Sequence, residues 1–141
     1  MPHPTDAQLV QQALEARTHA YAPYSNFTVG AALMTKDGKV YCGANIENAA
    51  FGPTNCAERT AFFTAVYAGE RAFAAIAVTG GKAGEPDSGG PLCGPCGVCR
   101  QVMAEFCDPD FRVLLARSDG TWEETTLAAL LPYTFTPKAL Q

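Results

Sequence analysis

Hydrophobic positions along this chain recur with two periods, one typical of helices and the other typical of strands. Residues 6–20 place leucine and alanine on one helical face, and Thr5 and Gln8 at the start of this helix predict a capping box. The apolar stretches 27–35 and 40–44 flank an Asp-Gly step, a strong signal for a β-hairpin. The first third of the chain therefore predicts a helix followed by two antiparallel strands.

The remaining elements alternate between helix and strand. Residues 56–69 predict a helix ending at Gly69, and the continuous apolar run 73–79 predicts a strand buried on both faces. Residues 80–95 are dense in glycine and proline and predict a loop. Further elements are expected in this order: a helix with an apolar stripe at Cys99, Val102, Met103 and Phe106, a strand at 111–116, a turn at 118–120, a strand at 121–125 and a short helix at 126–131.

Strands that alternate with helices after an opening hairpin predict an α/β fold. We expect a mixed five-stranded sheet with helices on both faces, and a single domain over residues 1–141. The turn at 118–120 joins the last two strands without a crossover helix, so these strands should be antiparallel neighbours.

Composition narrows the classes of function. The chain has 141 residues, 48% of them hydrophobic and only 17% charged, with a net charge of −4. The lack of a basic patch argues against nucleic acid as a partner, and the low charge suggests a surface covered by other subunits. No signal peptide or membrane-spanning run is visible, so we expect a cytoplasmic protein with no membrane partner. In that compartment six cysteines suggest metal binding or catalysis.

Three of these cysteines stand at the starts of two predicted helices. Cys56 begins the second helix, while Cys96 and Cys99 flank the start of the third. Helix N-termini favour thiolates, and three thiolates on Zn²⁺ leave one tetrahedral position open, as catalytic zinc requires. Glu58 is placed to move protons beside such an ion, and Arg59 to neutralise a ligand sulfur.

Other interpretations of these residues remain open on sequence alone. Glu58 could instead form a capping box with Asn55 and only stabilise the helix start. The run Cys93-Cys96-Cys99 has iron–sulfur spacing, although the expected fourth cysteine and proline are absent. A closed structural zinc would need a fourth ligand, for which Cys93 and Cys42 are the candidates. We expect the remaining thiols and imidazoles to be non-ligands: Cys42 and Cys107 in or near the core, His3 in a tail and His19 on an exposed helix.

The segments CAERTA at 56–61 and PCGVCRQV at 95–102 resemble the two signatures of the small homotetrameric cytidine deaminases. The similarity extends over about residues 7–137 and includes YAPYS at 21–25, FTVGAAL at 27–33, NIENA at 45–49 and LLP at 130–132. It implies a three-layer α/β/α cytidine-deaminase-like fold and a homotetramer. It also implies hydrolytic deamination of cytidine and deoxycytidine to uridine and deoxyuridine, with release of ammonia, in pyrimidine salvage.

The resemblance also assigns roles to particular residues. Cys56, Cys96 and Cys99 would hold one zinc ion per subunit, and Glu58 would carry protons between water, N3 of the base and the leaving amine. Arg59 would neutralise ligand charge, as the residues themselves also suggest.

The nucleoside itself would be held by a second set of residues. Asn45 and Glu47 would hydrogen-bond the ribose 3′-hydroxyl, Phe27 would pack on the base, and the backbone of Ala57 would hold the pyrimidine. Phe135 would reach into a neighbouring subunit's site. Each has a structural alternative: core packing for Phe27, a solvated strand end for Asn45 and Glu47, and a cover over the core for Phe135.

Three features depart from the family pattern. Phe51, in the substrate-binding set, stands where tyrosine is common, so a hydroxyl contact to a neighbouring site is lost. The loop 80–92 is longer and richer in glycine, and Cys93 is an additional thiol. The nearest competing function is a deaminase of bases in RNA or single-stranded DNA, against which the acidic balance and the final hairpin argue. A non-catalytic module with a closed zinc is the competing class.

Overall fold

The computed structural model describes residues 2–84 and 92–141. Their elements, in chain order, are α1 (Asp6–Arg17), β1 (Phe27–Thr35), β2 (Val40–Ala44), α2 (Ala57–Tyr67), β3 (Phe73–Lys82), α3 (Gly97–Phe106), β4 (Arg112–Ala116), β5 (Trp122–Thr126), α4 (Leu127–Leu130) and a 3₁₀ turn, Pro137–Leu140. No helix among these residues is long and apolar enough to span a membrane.

The sheet is mixed and five-stranded, with strand order β2-β1-β3-β4-β5. Among the described strands β3 and β4 are the parallel pair, and α3 lies between them in the chain. The last two strands are antiparallel, which confirms the hairpin predicted at 118–120. The predicted mixed sheet is therefore confirmed.

Each face of the sheet has its own hydrophobic core, because alternate residues of a strand point to opposite faces. On one face Ala32, Ala75 and Leu114 pack against Leu9 and Val10 of α1. On the other, strand residues pack against α2, α3 and α4 around Phe62, whose ring meets those of Phe73, Phe106 and Phe111 at centroid distances of 5.2, 6.3 and 6.1 Å. The arrangement confirms three α/β/α layers.

Two glycines let helices approach the sheet closely. A Cβ on Gly30 would lie 2.2 Å from the carbonyl oxygen of Ala13 in α1. A Cβ on Gly43 would lie 2.4 Å from the carbonyl oxygen of Ala57 and 2.6 Å from the amide nitrogen of Ala61. The start of α2, which carries the candidate site, is thus seated directly on β2.

The ends of the first two helices agree only in part with the prediction. The capping box of Thr5 and Gln8 forms as predicted, but α1 ends at Arg17 rather than at residue 20. Gly69 has φ of +100°, which agrees with its predicted position after α2.

The prediction that a loop begins at residue 80 is wrong. β3 continues to Lys82, because Gly80, Gly81 and Lys82 pair with Val29, Thr28 and Phe27 of β1. Much of the remaining predicted loop consists of residues 85–91, which lie outside the described residues. The prediction that this loop is longer than usual therefore also lies outside them.

Candidate active site

Three cysteine sulfurs converge where two helices begin. Cys56 is the N-cap of α2 and Cys96 is the N-cap of α3, while Cys99 lies in the first turn of α3. The sulfur of Cys96 is 3.7 Å from that of Cys56 and 3.3 Å from that of Cys99. The three sulfurs all lie within 4.8 Å of one another. Among the cysteine, histidine and acidic side chains of the described residues, these three form the group that is close enough to hold a metal ion.

The donor set fits zinc. Three sulfurs bound at about 2.3 Å around a tetrahedral ion lie about 3.8 Å from one another, close to the spacing between Cys56 and Cys96. Neither Cys93 nor Cys42 belongs to the group, so neither supplies a fourth ligand for a closed zinc or an iron–sulfur centre. Three protein ligands leave the fourth position for a water or substrate.

The expectation that Cys42 is a core residue is wrong, because its side chain in β2 is exposed to solvent. Cys107 is half-buried and packs against the core, as expected. His3 and His19 are exposed, and neither belongs to the metal-ligating group.

Arg59 is directed at the ligand cluster. Its Nη2 donates to the sulfur of Cys56 over 3.2 Å, one turn along α2. The thiol of Cys99 and this guanidinium together lower the pKa of Cys56 to about 5, because both donate to its sulfur. The same thiol–thiolate contact raises the pKa of Cys99. The cluster therefore favours a thiolate, the form of cysteine that binds metals.

The Glu58 carboxyl lies in a dry environment beside these sulfurs. Its residue is 4% exposed, and burial is the main cause that raises its pKa to about 7, with the negative charge of Cys56 adding to the effect. The alternative of a capping box with Asn55 is wrong: the N-cap is Cys56, and the Asn55 amide donates instead to the hydroxyl of Thr60. A buried carboxyl with a raised pKa can both accept and return a proton near neutral pH.

The segment that precedes α2 connects the cluster to a second group of polar residues. Ile46 and Asn55 exchange two backbone hydrogen bonds of 2.9 Å. This pairing holds the segment with Asn45 and Glu47 beside the segment that leads into Cys56. The buried Asn45 amide bridges β1, accepting from the Val29 N–H at 2.8 Å and donating to the Phe27 carbonyl at 2.9 Å.

Glu47 holds the turn that leads into β1. Its carboxylate accepts from the backbone N–H groups of Tyr24 and Ser25 and from the Ser25 hydroxyl, and these bonds keep its pKa below the usual range. Ser25 Oγ in turn accepts from the Phe27 N–H at 3.0 Å. Asn45, Glu47 and Ser25 together therefore fix the backbone on which the Phe27 ring is carried.

A cavity of about 320 Å³ opens beside Glu47. Its lining residues are Tyr24, Ser25, Glu47, Phe51 and Thr54, and none of them is basic. Phe51 meets the Tyr24 ring edge-on at 6.4 Å and is 75% exposed. The acidic, aromatic lining suits a neutral, hydroxyl-bearing group better than a phosphate.

The remaining predicted site residues differ in their exposure. Ala57, the first residue of α2, is fully buried. Phe135 is 60% exposed, and its carbonyl accepts from the Gln101 side chain at 2.8 Å, which ties the tail to α3. Phe135 and Phe51 therefore present rings to the outside of this chain.

Sequence reasoning missed two supporting residues. Ser25 links Glu47 to Phe27, and a serine two residues before a strand is a recognisable turn signal. Arg100 donates to the carbonyls of Pro95 and Leu130, both at 2.7 Å, and so joins the ligand loop to the end of α4. Nothing in the local pattern around Arg100 predicts a contact so distant in sequence.

An α/β/α fold with a three-thiol cluster at helix N-termini and a buried carboxyl beside it defines a zinc-dependent hydrolytic site. The family described as cytidine and deoxycytidylate deaminase zinc-binding region matches residues 3–115. A cytidine deaminase of Sporosarcina psychrophila is 51% identical over 133 residues, covering 94% of this chain and 93% of that protein. The chain belongs to the cytidine and deoxycytidylate deaminase family.

Further comparisons agree with this assignment. The crystal structure of cytidine deaminase from Burkholderia pseudomallei is 50% identical with a TM-score of 0.84, covering 94% of this chain and 100% of that one. A blasticidin-S deaminase of Bacillus cereus is 34% identical over 132 residues, covering 93% of this chain and 92% of that protein.

Proposed function

We propose that this protein is a zinc-dependent cytidine deaminase that hydrolyses cytidine and deoxycytidine to uridine and deoxyuridine, with release of ammonia. The observation that carries the proposal is the buried Glu58 carboxyl beside the sulfurs of Cys56, Cys96 and Cys99, in a chain of the deaminase family. The relatives of about 50% identity that are named cytidine deaminase support the choice of cytidine over the other base-bearing substrates of the family.

The proposed chemistry divides between metal and protein. When bound by Cys56, Cys96 and Cys99, zinc supplies a water molecule with a pKa lowered to about 7. Glu58 would accept a proton from the water and deliver it to N3 of the cytosine ring as the water oxygen bonds to C4. It would then take the proton of the new C4 hydroxyl and pass it to the amine as the C4–N bond breaks, which leaves uridine and ammonia. The dry surroundings of Glu58 hold its pKa near neutrality, so the carboxyl can both accept and release a proton at neutral pH. Arg59 offsets part of the thiolate charge, which would otherwise weaken the metal as a Lewis acid.

The sugar is proposed to lie between Asn45 and Glu47, with the base against Phe27 and the backbone of Ala57. Both polar side chains keep capacity for one more hydrogen bond after their contacts within the chain. The carboxylate of Glu47 beside a cavity without a basic lining residue favours nucleosides over their phosphates. Free nucleosides are the substrates of pyrimidine salvage, the role we assign to the enzyme.

We further propose a homotetramer whose subunits complete one another's sites. Phe51 and Phe135 expose most of their rings, and Phe63 and Tyr67, four residues apart on α2, form a second exposed apolar surface. Charged residues make up only 17% of the chain, which agrees with a surface that is covered by other subunits. Sedimentation at micromolar concentration should give four times the chain mass of 14.9 kDa, and a mass near one chain would refute this assembly.

A cytoplasmic location forms part of the proposal. All six cysteines are present as thiols, and zinc-binding thiols persist in a reducing compartment. Fractionation of cells that express the tagged protein should recover the deaminase with other cytoplasmic enzymes, and its recovery with secreted proteins would contradict the location.

The experiment that tests the function is ammonia release by purified protein of known zinc content. Cytidine and deoxycytidine are assayed beside cytidine monophosphate, adenosine, blasticidin S and a cytosine-containing single-stranded oligonucleotide. We expect turnover of the two nucleosides, and chelation of zinc should abolish it until zinc is restored. A zinc-loaded protein that leaves both nucleosides unchanged would refute the proposal. Turnover of the oligonucleotide alone would then establish the competing class of deaminase.

A further inference from the structure

Gly80 of β3 lies at a crowded point, where two side chains come close to its backbone. A Cβ built on it would be 2.7 Å from the sulfur of Cys93 and 3.0 Å from Cε1 of Phe27. Both distances are below normal van der Waals contact, so the thiol and the edge of the ring share the space above the glycine. The glycine is itself buried and pairs with Val29 of β1, which fixes the floor of this space.

The Phe27 ring is partly open to solvent. Its backbone is held by the Asn45 amide and the Ser25 hydroxyl, but the residue is 39% exposed. An exposed ring on a fixed backbone still rotates about its side-chain bonds, and a neighbouring sulfur restricts that rotation. The Cys93 thiol is the neighbour that this space provides.

Cys93 is suited to a packing role rather than to chemistry. It lies outside the group of three ligand sulfurs. Burial raises its pKa to about 11, so it is a protonated thiol at neutral pH, and such thiols are poor nucleophiles. The negative charge of Glu58 adds to this rise in pKa.

We propose that Cys93 is a positioning residue of the nucleoside site, whose thiol, seated over Gly80, holds the Phe27 ring in the orientation that packs on the base. The proposal rests on the proposed function, since the contact between Phe27 and the base is part of that function. It gives the additional thiol of this chain a role in substrate affinity that is separate from metal binding.

The first test separates substrate affinity from catalysis. Cys93→Ala should raise KM for cytidine roughly 2- to 10-fold, the factor expected from a well-placed aromatic contact, with kcat within about twofold and zinc content unchanged. Cys42→Ala removes an exposed thiol of β2 and should change neither constant. Loss of zinc in Cys93→Ala would make Cys93 a ligand and overturn the proposal, as would an unchanged KM.

The second test is a double-mutant cycle that a merely structural role would not satisfy. In a Phe27→Leu background, Cys93→Ala should have no further effect on KM, because the thiol acts through the ring. Gly80→Ala should raise KM more than Cys93→Ala does, and the pair Gly80→Ala/Cys93→Ala should partly restore it, because the new methyl group takes the place of the sulfur. Additive effects in the Phe27→Leu background would overturn the proposal.

Failure of this inference is distinct from failure of the proposed function. A wild-type protein that neither turns over cytidine nor binds uridine at equilibrium would refute the function and this inference with it. Wild-type turnover combined with an unaffected KM in Cys93→Ala would refute the inference alone.

Discussion

The metal end and the sugar end of the candidate site are built in different ways. The metal end consists of side chains on the first turns of α2 and α3, where Glu58 and Cys99 are buried. The sugar end, as proposed above, consists of Phe27, Asn45 and Glu47 at the ends of strands, with the exposed Phe51 beside them. Helix packing holds the first group, whereas hydrogen bonds between side chains and backbone hold the second.

This difference indicates how each end responds to substitution. At the metal end the ligand side chains act mainly through the metal, and the Cys96 sulfur in addition caps α3 by accepting from the Cys99 N–H. At the sugar end Asn45 and Glu47 already hold β1 and the turn before it, so their substitution affects structure and affinity together. We therefore expect large, clean losses at the metal end and smaller, mixed losses at the sugar end.

The largest effect is expected from Cys99→Ala. Removal of this buried ligand leaves two sulfurs, which hold zinc poorly, so zinc content should fall from about one ion per chain to near zero and turnover should be lost. Metal analysis after gel filtration, together with the cytidine assay, measures both. Cys42→Ala is the matched control and should keep zinc and activity; a Cys99→Ala protein with normal zinc would contradict the assigned ligand set.

Arg59→Ala should have the next largest effect. Without its guanidinium the Cys56 sulfur loses a hydrogen-bond donor at 3.2 Å, and loss of such a supporting contact lowers metal affinity roughly 10- to 100-fold. Competition with a chromogenic chelator gives the affinity. Arg71→Ala, which removes an arginine bound to carbonyls at the other end of α2, should leave zinc affinity unchanged. Equal zinc affinity in the Arg59 and Arg71 variants would remove Arg59 from the metal site.

Glu47→Gln should have the smallest effect of this series. The amide still accepts from the Tyr24 N–H but loses the negative charge offered to the sugar hydroxyl, which should raise KM about tenfold with little change in kcat. A substrate without the 3′-hydroxyl separates the two roles: it should be poor for the wild type and no worse for Glu47→Gln. If the variant loses equal affinity for both substrates, Glu47 acts only through the turn that it holds.

The metal end could be predicted from sequence because its signal is local. The spacing of Cys56, Glu58, Cys96 and Cys99 at two predicted helix starts is sufficient to expect a metal with an open position. The mixed sheet and its final hairpin followed from the alternation of apolar runs and turns, whereas the order of the strands was not predicted. The errors lie where a distant partner decides the outcome: Gly80 and Gly81 become strand because β1 offers them a ladder, and Cys42 faces solvent because β2 is an edge strand.

The sugar end could not be predicted by the same reasoning. Phe27, Asn45 and Glu47 carry no spacing that distinguishes substrate contacts from ordinary strand-end residues, so their roles came from resemblance alone. The contacts made by Ser25 and Cys93 depend on how the turn before β1 and the ligand loop meet in space. Such contacts between segments far apart in sequence are set by the fold, which local patterns do not describe.

The most direct test of the proposed chemistry is the turnover of Glu58→Gln with its zinc content measured in the same sample. Proton transfer depends on this one buried carboxyl, so the variant should fold, keep its zinc and lose activity by a factor on the order of 10²–10⁴. Glu105→Gln, an exposed acid on α3, serves as the control. A zinc-loaded Glu58→Gln protein with near-wild-type release of ammonia from cytidine would show that Glu58 does not carry the protons.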